Sequence, residues 1–320
     1  MKSASVKRFA WCCLSALIAT GLCIPAWAQM TAGQAIQHDT SAPIRDIAVP
    51  IPAGPAGPNR EIPIGVKPQI GAPASPADAE PDGGIQSPGY FMEPTPAVEV
   101  SVPGLSEQDN VDLLGVAIVP PDTNGDIGFD GDGNRIYVQY INLVWGVFDD
   151  TGALIAGPFP GNTFWAGFGG PCETNNDGDP VALYDDYAGR WVMSQFSINE
   201  GIQCVAVSET SDPLGVYYRY AFEVSPGQAN DYPKMGVWTD GADQSAYTFT
   251  TRDFPVGATF GGSGVMERDA MLNGDPASFI KFANPCVAGD CIEGQLPPHM
   301  AGPDTPPAGT CPTFWSAVDS

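Results

Sequence analysis

The sequence predicts an all-β protein built as an incomplete β-propeller, with about three four-stranded blades and the start of a fourth. After residue 102, short runs rich in Val, Ile, Tyr, Phe and Trp alternate with Gly, Asp, Asn and Pro turns. A unit of an aspartate followed by a strand recurs at Asp122, Asp179 and Asp231, at intervals of 57 and 52 residues. This period favours a four-stranded blade, because blade repeats run to about 40–50 residues.

Residues 1–28 have the pattern of a secretory signal peptide. Residues 2–8 carry three positive charges, residues 9–24 form an apolar run, and Ala26 and Ala28 are the small residues that signal peptidase reads. A membrane anchor is less favoured, because no basic stop-transfer cluster follows the apolar run. We therefore expect cleavage after Ala28 and a periplasmic or extracellular protein with no remaining membrane span.

The charge balance restricts the partners. The chain has 37 acidic and 13 basic residues, and without the predicted signal peptide its net charge becomes −27. A surface this negative repels nucleic acid and anionic lipid, which bind through Lys and Arg. The partner is unknown, and carbohydrate or a cell-surface protein remains a candidate.

Residues 29–100 have the composition of a disordered linker. They contain 13 prolines, with Gly and Ala between them. Proline removes backbone donors and fixes φ, so we expect no useful ladder or helix here. The apolar segment 89–92 is a candidate to dock on the domain that follows.

Residues 101–320 are predicted to form the partial propeller, with blades over about 120–172, 176–227 and 228–283 and the start of a fourth at 308–315. A ring needs at least four blades. We therefore expect the chain to be the front part of a longer, truncated propeller. The alternatives are an all-β sandwich and a propeller completed by dimerisation.

The chain contains the segments PPDTNGD at 120–126, YVQYIN at 137–142, GGPCETNNDGDP at 169–180, WVMSQF at 191–196 and DYPKMGVW at 231–238. These five segments resemble a family of large secreted bacterial proteins described as uncharacterised, sialidase-like β-propeller proteins. The resemblance covers about 104–320 and implies the propeller fold. It implies little about activity, since the family has no assigned reaction. This chain ends where the family continues through further blades.

Two acidic loops are candidate calcium sites, because calcium prefers oxygen ligands. Their residues are Asp122, Asn124 and Asp126 in the first loop and Asn176, Asp177 and Asp179 in the second. The first loop is not an EF-hand, since Ile127 stands where that loop requires glycine. The alternative is that these Asp and Asn side chains cap turns through their own backbone.

Asp179 and Asp231 are predicted to face the central tunnel from equivalent positions. A ring of carboxylates there would hold a cation or a polar ligand. The alternative role is structural, with each carboxylate bonding the amides that start an inner strand.

The sequence assigns no catalytic residue. His38 and His299 lie in proline-rich segments and are poorly placed to activate Ser263. The Asp-box and the Phe-Arg-Ile-Pro segment of a sialidase are absent from the sequence. A non-catalytic binding module is the first hypothesis. The alternative is a divergent glycoside hydrolase, since that chemistry needs only two acids at the right separation.

Five cysteines follow the predicted signal peptide, which suits an oxidising compartment. Cys172 and Cys204 are the best candidates for a disulfide, because they would lie in one blade. The pairing of Cys286, Cys291 and Cys311 stays open.

Overall fold

The computed structural model describes residues 30–48, 60–61, 98–255, 259–287, 290–291, 293–302, 304–309 and 315–318. Within these ranges the regular structure is mainly antiparallel sheet, with a few short helices and one short parallel strand pair. None of the helices found there is long and apolar enough to cross a membrane.

The elements are numbered in chain order. The strands are β1 (Met30–Gln34), β2 (Gln37–Thr40), β3 (Arg60–Glu61), β4 (Ile118–Val119), β5 (Asn124–Phe129), β6 (Arg135–Ile141), β7 (Val144–Asp149), β8 (Leu154–Pro160), β9 (Val181–Asp185), β10 (Arg190–Ser197), β11 (Ile202–Ser208), β12 (Tyr217–Glu223), β13 (Ala229–Thr239), β14 (Ser245–Phe254), β15 (Thr259–Met266), β16 (Ser278–Val287), β17 (Asp290–Cys291), β18 (Glu293–Leu296) and β19 (Ser316–Val318). The helices are α1 (Ile44–Ile47), α2 (Glu107–Leu114), α3 (Gly170–Thr174) and α4 (Arg268–Leu272), with 3-10 turns at Gly161–Trp165 and Ile198–Glu200.

Three four-stranded antiparallel sheets follow one another along the chain. Blade 1 has the order β5-β6-β7-β8, blade 2 contains β9-β10-β11-β12, and blade 3 contains β13-β14-β15-β16. Each sheet falls where the recurring aspartates predict one, and blade 3 extends slightly past residue 283. The propeller-like, all-β fold class is confirmed.

The blades stack face to face through two apolar cores. Strands alternate their side chains between two faces, so β6 directs Ile136, Val138 and Tyr140 into a core shared with blade 2. A second core joins blades 2 and 3 through residues such as Val205 and Phe249. The first strands β5, β9 and β13 lie side by side, with β9 in the middle. Their starts therefore meet at one place.

Residues 30–48, which we call the strap, run along the outer edges of blades 3 and 2. Strand β1 pairs with β16, and β2 pairs with β12, both antiparallel. The prediction of a disordered linker is therefore wrong for the strap. Main-chain hydrogen bonds to an open sheet edge can form with almost any side chains. The amino-acid composition therefore did not indicate these strands. Residues 49–59 and 62–97, with the docking candidate 89–92, lie outside the described residues.

The face of blade 3 that points away from blade 2 is covered by residues 293–300. The Thr248 hydroxyl donates to the Pro298 carbonyl oxygen at 2.7 Å, and the Thr250 hydroxyl donates to that of Gln295 at 2.8 Å. A Cβ atom on Gly236 would lie 2.2 Å from the Pro298 oxygen, so this approach requires glycine. Strand β18 also pairs with β19. Of the predicted fourth-blade segment, residues 310–314 lie outside the described residues.

Candidate functional site

The three recurring aspartates come together where the first strands of the blades start. Asp122 and Asp179 stand just before β5 and β9, and Asp231 lies near the start of β13. The backbone is left-handed at Asp122 (φ 37°), Asp179 (φ 44°) and Tyr232 (φ 52°). Such a conformation is uncommon for residues other than glycine. In blades 1 and 2 the left-handed residue is the aspartate that precedes the first strand, whereas in blade 3 it is the residue after the aspartate, at a bulge inside β13.

Asn142, at the end of β6, links blade 1 to blade 2 at this point. Its amide nitrogen donates to the Asp122 carboxylate at 2.5 Å and to the Pro120 carbonyl at 2.8 Å. Its amide oxygen accepts the backbone N–H of Asp179 at 2.8 Å. Asn142 is fully buried. Removing it would leave several polar groups without partners.

Tyr232 links blade 2 to blade 3. Its backbone N–H donates both to Asp179 Oδ2 at 2.9 Å and to Asp231 Oδ1 at 2.8 Å. Because one nitrogen donates both bonds, Asp179 Oδ2 and Asp231 Oδ1 lie within about 6 Å of each other. Two acids from neighbouring blades thus converge on one donor.

Lys234 completes a group that we call the axial cluster, which consists of Asp122, Asp179, Asp231 and Lys234. The Lys234 ammonium lies 4.1 Å from the centre of the Tyr232 ring. The negative charges of the three aspartates act to raise the pKa of Lys234. Burial has the larger effect and lowers that pKa.

Asp179 is the most perturbed acid of the axial cluster. Only 6% of its surface is exposed. Burial, followed by the charges of Asp231 and Asp122, raises the pKa of Asp179 to about 7. Burial also raises the pKa of Asp231. A carboxyl group that is partly protonated near neutral pH can both donate and accept hydrogen bonds.

In the first candidate calcium loop, the side-chain oxygens of Asn124 and Asp126 join blades 1 and 2 instead of converging on one point. Asn124 Oδ1 accepts the Ala182 N–H, and Asp126 Oδ2 accepts the Tyr184 N–H, each at 2.8 Å. These side chains satisfy backbone donors of β9, which has no strand beyond it on that side. Their oxygens therefore have a structural role.

The second calcium candidate is also engaged within the protein. Asn176 donates to the Leu143 carbonyl at 3.0 Å, and Asp177 accepts the Ile198 N–H at 3.2 Å. The described part of the chain contains no group of three or more His, Cys, Asp or Glu side chains arranged to hold a metal ion. Calcium binding at these six residues stays a prediction.

The predicted disulfide between Cys172 and Cys204 is present, with Cα atoms 5.8 Å apart. It ties α3 to β11, the third strand of blade 2. Cys286 is also disulfide-bonded, and the backbone register places it opposite Cys291. Cys311 lies outside the described residues.

The histidines and Ser263 are engaged elsewhere. His38 stacks on Tyr220 with ring centres 5.9 Å apart, and His299 accepts the Val237 N–H at 3.3 Å. The Ser263 hydroxyl donates to the side chain of Gln295. This arrangement gives Ser263 no histidine partner among the described residues.

The sequence singles out Asp179 and Asp231 as candidates, and the structure adds Asn142, Tyr232 and Lys234 as their neighbours. Tyr232 and Lys234 lie in the motif DYPKMGVW at 231–238, which indicates a blade start and the family resemblance but not a binding role. Asn142 ends the segment YVQYIN at 137–142, which predicts a strand but not a link between blades. Its role depends on the turn between β6 and β7, where Leu143 has a φ of 80°.

No family model and no curated protein matches this chain. The resemblance to sialidase-like proteins therefore stays a prediction. Similar solved structures include a fructofuranosidase from Schwanniomyces occidentalis complexed with fructosylnystose, with 12% identity and a TM-score of 0.27 over 43% of this chain and 28% of that one. An exo-inulinase from Aspergillus awamori has 14% identity and a TM-score of 0.28 over 51% and 33%. Less than half of either enzyme is spanned, and likenesses this weak assign neither family nor function.

Proposed function

We propose that this chain is an exported binding module whose ligand site is the axial cluster. One observation carries the proposal: carboxylates from two blades, Asp179 and Asp231, converge on the Tyr232 amide beside a lysine. Grouping acids in this way costs stability, as the raised pKa of Asp179 indicates. Such a cost is common where groups are kept for binding or chemistry.

The chemistry of the axial cluster favours a neutral, hydroxyl-rich ligand such as a carbohydrate. Asp179 can donate and accept, Asp231 accepts, and Lys234 donates, so each matches a hydroxyl group. Asp122 is exposed, and 36% of the Tyr232 surface is open to solvent. An aromatic face beside polar groups suits the apolar side of a sugar ring.

Calorimetric titration of the purified mature chain with a panel of neutral oligosaccharides tests the proposal. We expect binding to at least one sugar, and at least a ten-fold weaker affinity after Asp179→Asn or Asp231→Asn. Asp132→Asn is the matched control, because Asp132 is an exposed acid in the turn between β5 and β6. Loss of affinity in the control as well as in the cluster variants would refute the assignment of the site.

A second candidate function is glycoside hydrolysis, which the pKa of Asp179 favours. Glycosidases pair an acid of raised pKa with a second carboxylate, at about 5–5.5 Å in retaining enzymes. Asp179 would protonate the glycosidic oxygen while Asp231 acts from the other side of the scissile bond. Turnover of fluorogenic glycosides that is lost in Asp179→Asn would support hydrolysis. Binding without turnover across a broad panel would support the non-catalytic module.

A further inference from the structure

The face of blade 1 that points away from blade 2 carries a row of apolar side chains. Ile127, Tyr137 and Phe148 lie opposite one another on the neighbouring strands β5, β6 and β7. Successive side chains of a strand point to opposite faces of the sheet, so this row points away from Val138 and Val147, which lie in the core shared with blade 2. The three side chains form a floor, in which the rings of Tyr137 and Phe148 have centres 6.1 Å apart.

Residues 98–104, which we call the cover segment, cross over this floor. The Leu105 N–H, just after the cover segment, donates to the side-chain oxygen of Gln139 at 2.6 Å. Val102 packs on Gly152, in the turn between β7 and β8, where a Cβ atom would collide with the valine side chain. The cover segment is therefore anchored to blade 1.

The cover segment does not fill the space beneath it. A cavity of about 600 Å³ lies between it and the floor. Val98, Val100 and Val102 line the cavity from above and Ile127 lines it from below, yet these side chains remain 77%, 46%, 50% and 59% exposed. Cavities of this volume are typical of sites for small organic ligands. Two apolar walls thus face each other across a space in which a small molecule would bury both.

The charges around the cavity favour a positive ligand. Glu99, Asp149, Asp150 and Arg135 line it, so three acids stand against one base and the formal charge is −2. The Glu99 carboxylate lies 3.5 Å from the Arg135 guanidinium, and both side chains are exposed. The whole chain is also acidic, with 37 acidic and 13 basic residues. An anion or a second copy of this chain would be repelled, whereas a cation would be attracted.

We propose that the cavity beneath the cover segment binds a small organic cation. Its aromatic or aliphatic body lies between the cover segment and the floor, and its ammonium group lies at the acidic rim. Burial of the apolar body supplies most of the affinity, and the rim selects the charge. The cavity is on the side of blade 1 that faces away from blade 2, so the inference is independent of the proposed ligand site at the axial cluster.

Calorimetric titration of the purified protein with three naphthalene probes tests the class of ligand. The probes are 2-naphthylmethylammonium, the uncharged 2-naphthylmethanol and the anionic 2-naphthoate, which share one ring system. We expect the ammonium to bind, the alcohol to bind at least about three-fold more weakly, and the carboxylate to bind more weakly still. No binding of the ammonium at about 1 mM, or equal affinity for the ammonium and the alcohol, would overturn the proposal.

Two substitutions that fill the cavity test its location. Ile127→Trp fills it from the floor and Val100→Trp from the cover segment, and each should weaken binding of the ammonium at least ten-fold. Ile155→Trp is the matched control, because Ile155 is a similarly exposed residue of β8 outside the cavity. Thermal melts establish that each variant is folded. Wild-type affinity in a folded filling variant, or an equal loss in Ile155→Trp, would overturn the assignment.

A pair of neutralising substitutions tests the rim. Glu99→Gln with Asp150→Asn leaves Asp149 and Arg135 and brings the formal charge of the rim to zero. The preference for the ammonium over the alcohol should then disappear, while the affinity for the alcohol stays unchanged. Asp186→Asn with Glu223→Gln removes the same charge from exposed positions of blade 2 and should keep the preference. A preference that survives the rim pair, or that is lost in the control pair, would overturn the role of the rim.

Discussion

Asp179 in blade 2 accepts a hydrogen bond from the backbone N–H of Tyr232 in blade 3, 53 residues further along the chain. The same N–H serves Asp231. The contact between two blades is therefore also the contact that brings two acids together. Cohesion of the stack and the chemistry of the axial cluster therefore depend on the same few atoms.

Asp179→Asn should change how stability depends on pH. The folded chain holds the Asp179 proton up to a pKa of about 7, whereas the unfolded chain releases it near 3.8. The contribution of Asp179 to the free energy of unfolding of the wild type is thus greatest below pH 3.8, and it is lost as the pH rises to 7. Relative to wild type, the variant should gain up to about 4 kcal/mol in free energy of unfolding across this window. Urea denaturation at pH 4, 5.5 and 7.5 measures the difference, and a difference that does not vary with pH would contradict it.

Asn142→Ala should be strongly destabilising. It leaves the buried Asp179 N–H without its acceptor and removes two donors from Asp122 and Pro120. Each buried polar group left unpaired costs about 1–3 kcal/mol, so we expect a loss of about 2–4 kcal/mol. Asn273→Ala, at an exposed position in the turn after α4, is the control and should cost far less. Similar urea midpoints for the two variants would argue against the linking role of Asn142.

Replacing Cys172 and Cys204 by serine should lower the free energy of unfolding by about 3 kcal/mol, given the 32-residue separation. The bond restricts the unfolded chain between α3 and β11. Urea denaturation of the double variant and of wild type, both without reductant, measures this. An unchanged midpoint would show that the bridge does not form in the native protein.

Asp39→Asn should loosen the strap. Arg219 is only 3% exposed and would lose a carboxylate that it binds through two hydrogen bonds. We expect a loss of about 1–3 kcal/mol, because Asp39 is partly open to solvent and the asparagine oxygen keeps one bond. Arg45→Ala removes the more exposed pair with Asp212 and should cost less than about 1 kcal/mol. Thermal melts that rank the two variants in the opposite order would contradict the role of Asp39.

Removal of calcium should leave the melting temperature nearly unchanged. The oxygens of Asn124 and Asp126 already accept backbone N–H groups of β9. Melts in EGTA and in excess calcium measure this directly. A melting temperature that falls in EGTA and recovers with calcium would instead support the calcium sites predicted from sequence.

The blades were predictable because two periods agree. The two-residue alternation of apolar side chains defines each strand, and the recurring aspartate defines where each sheet starts. Corresponding positions in stacked sheets lie close together, which is why the strand starts that carry Asp179 and Asp231 are neighbours. Helix α2 was missed although Ser106 and Asp109 form a capping box and Gly115 ends the helix. That signal was readable in the sequence.

The strap and Asn142 were not predictable in the same way. β1 and β2 contain Gln, Gly and Thr and pair mainly through their main chain, which leaves no pattern in the side chains. The function of Asn142 depends on the direction of one turn and on two segments from other parts of the chain. Such roles arise from tertiary geometry, which composition and spacing do not encode.

Residues 293–300 have a consequence for how such a protein can be enlarged. They fill the surface of blade 3 against which an additional sheet would have to stack, and Gly236 leaves no gap beneath Pro298. An added sheet and this segment are therefore mutually exclusive occupants of one place. Engineered extension of the stack from this side has to begin by rerouting these eight residues, and the buried hydroxyls of Thr248 and Thr250 would need new acceptors from the incoming sheet.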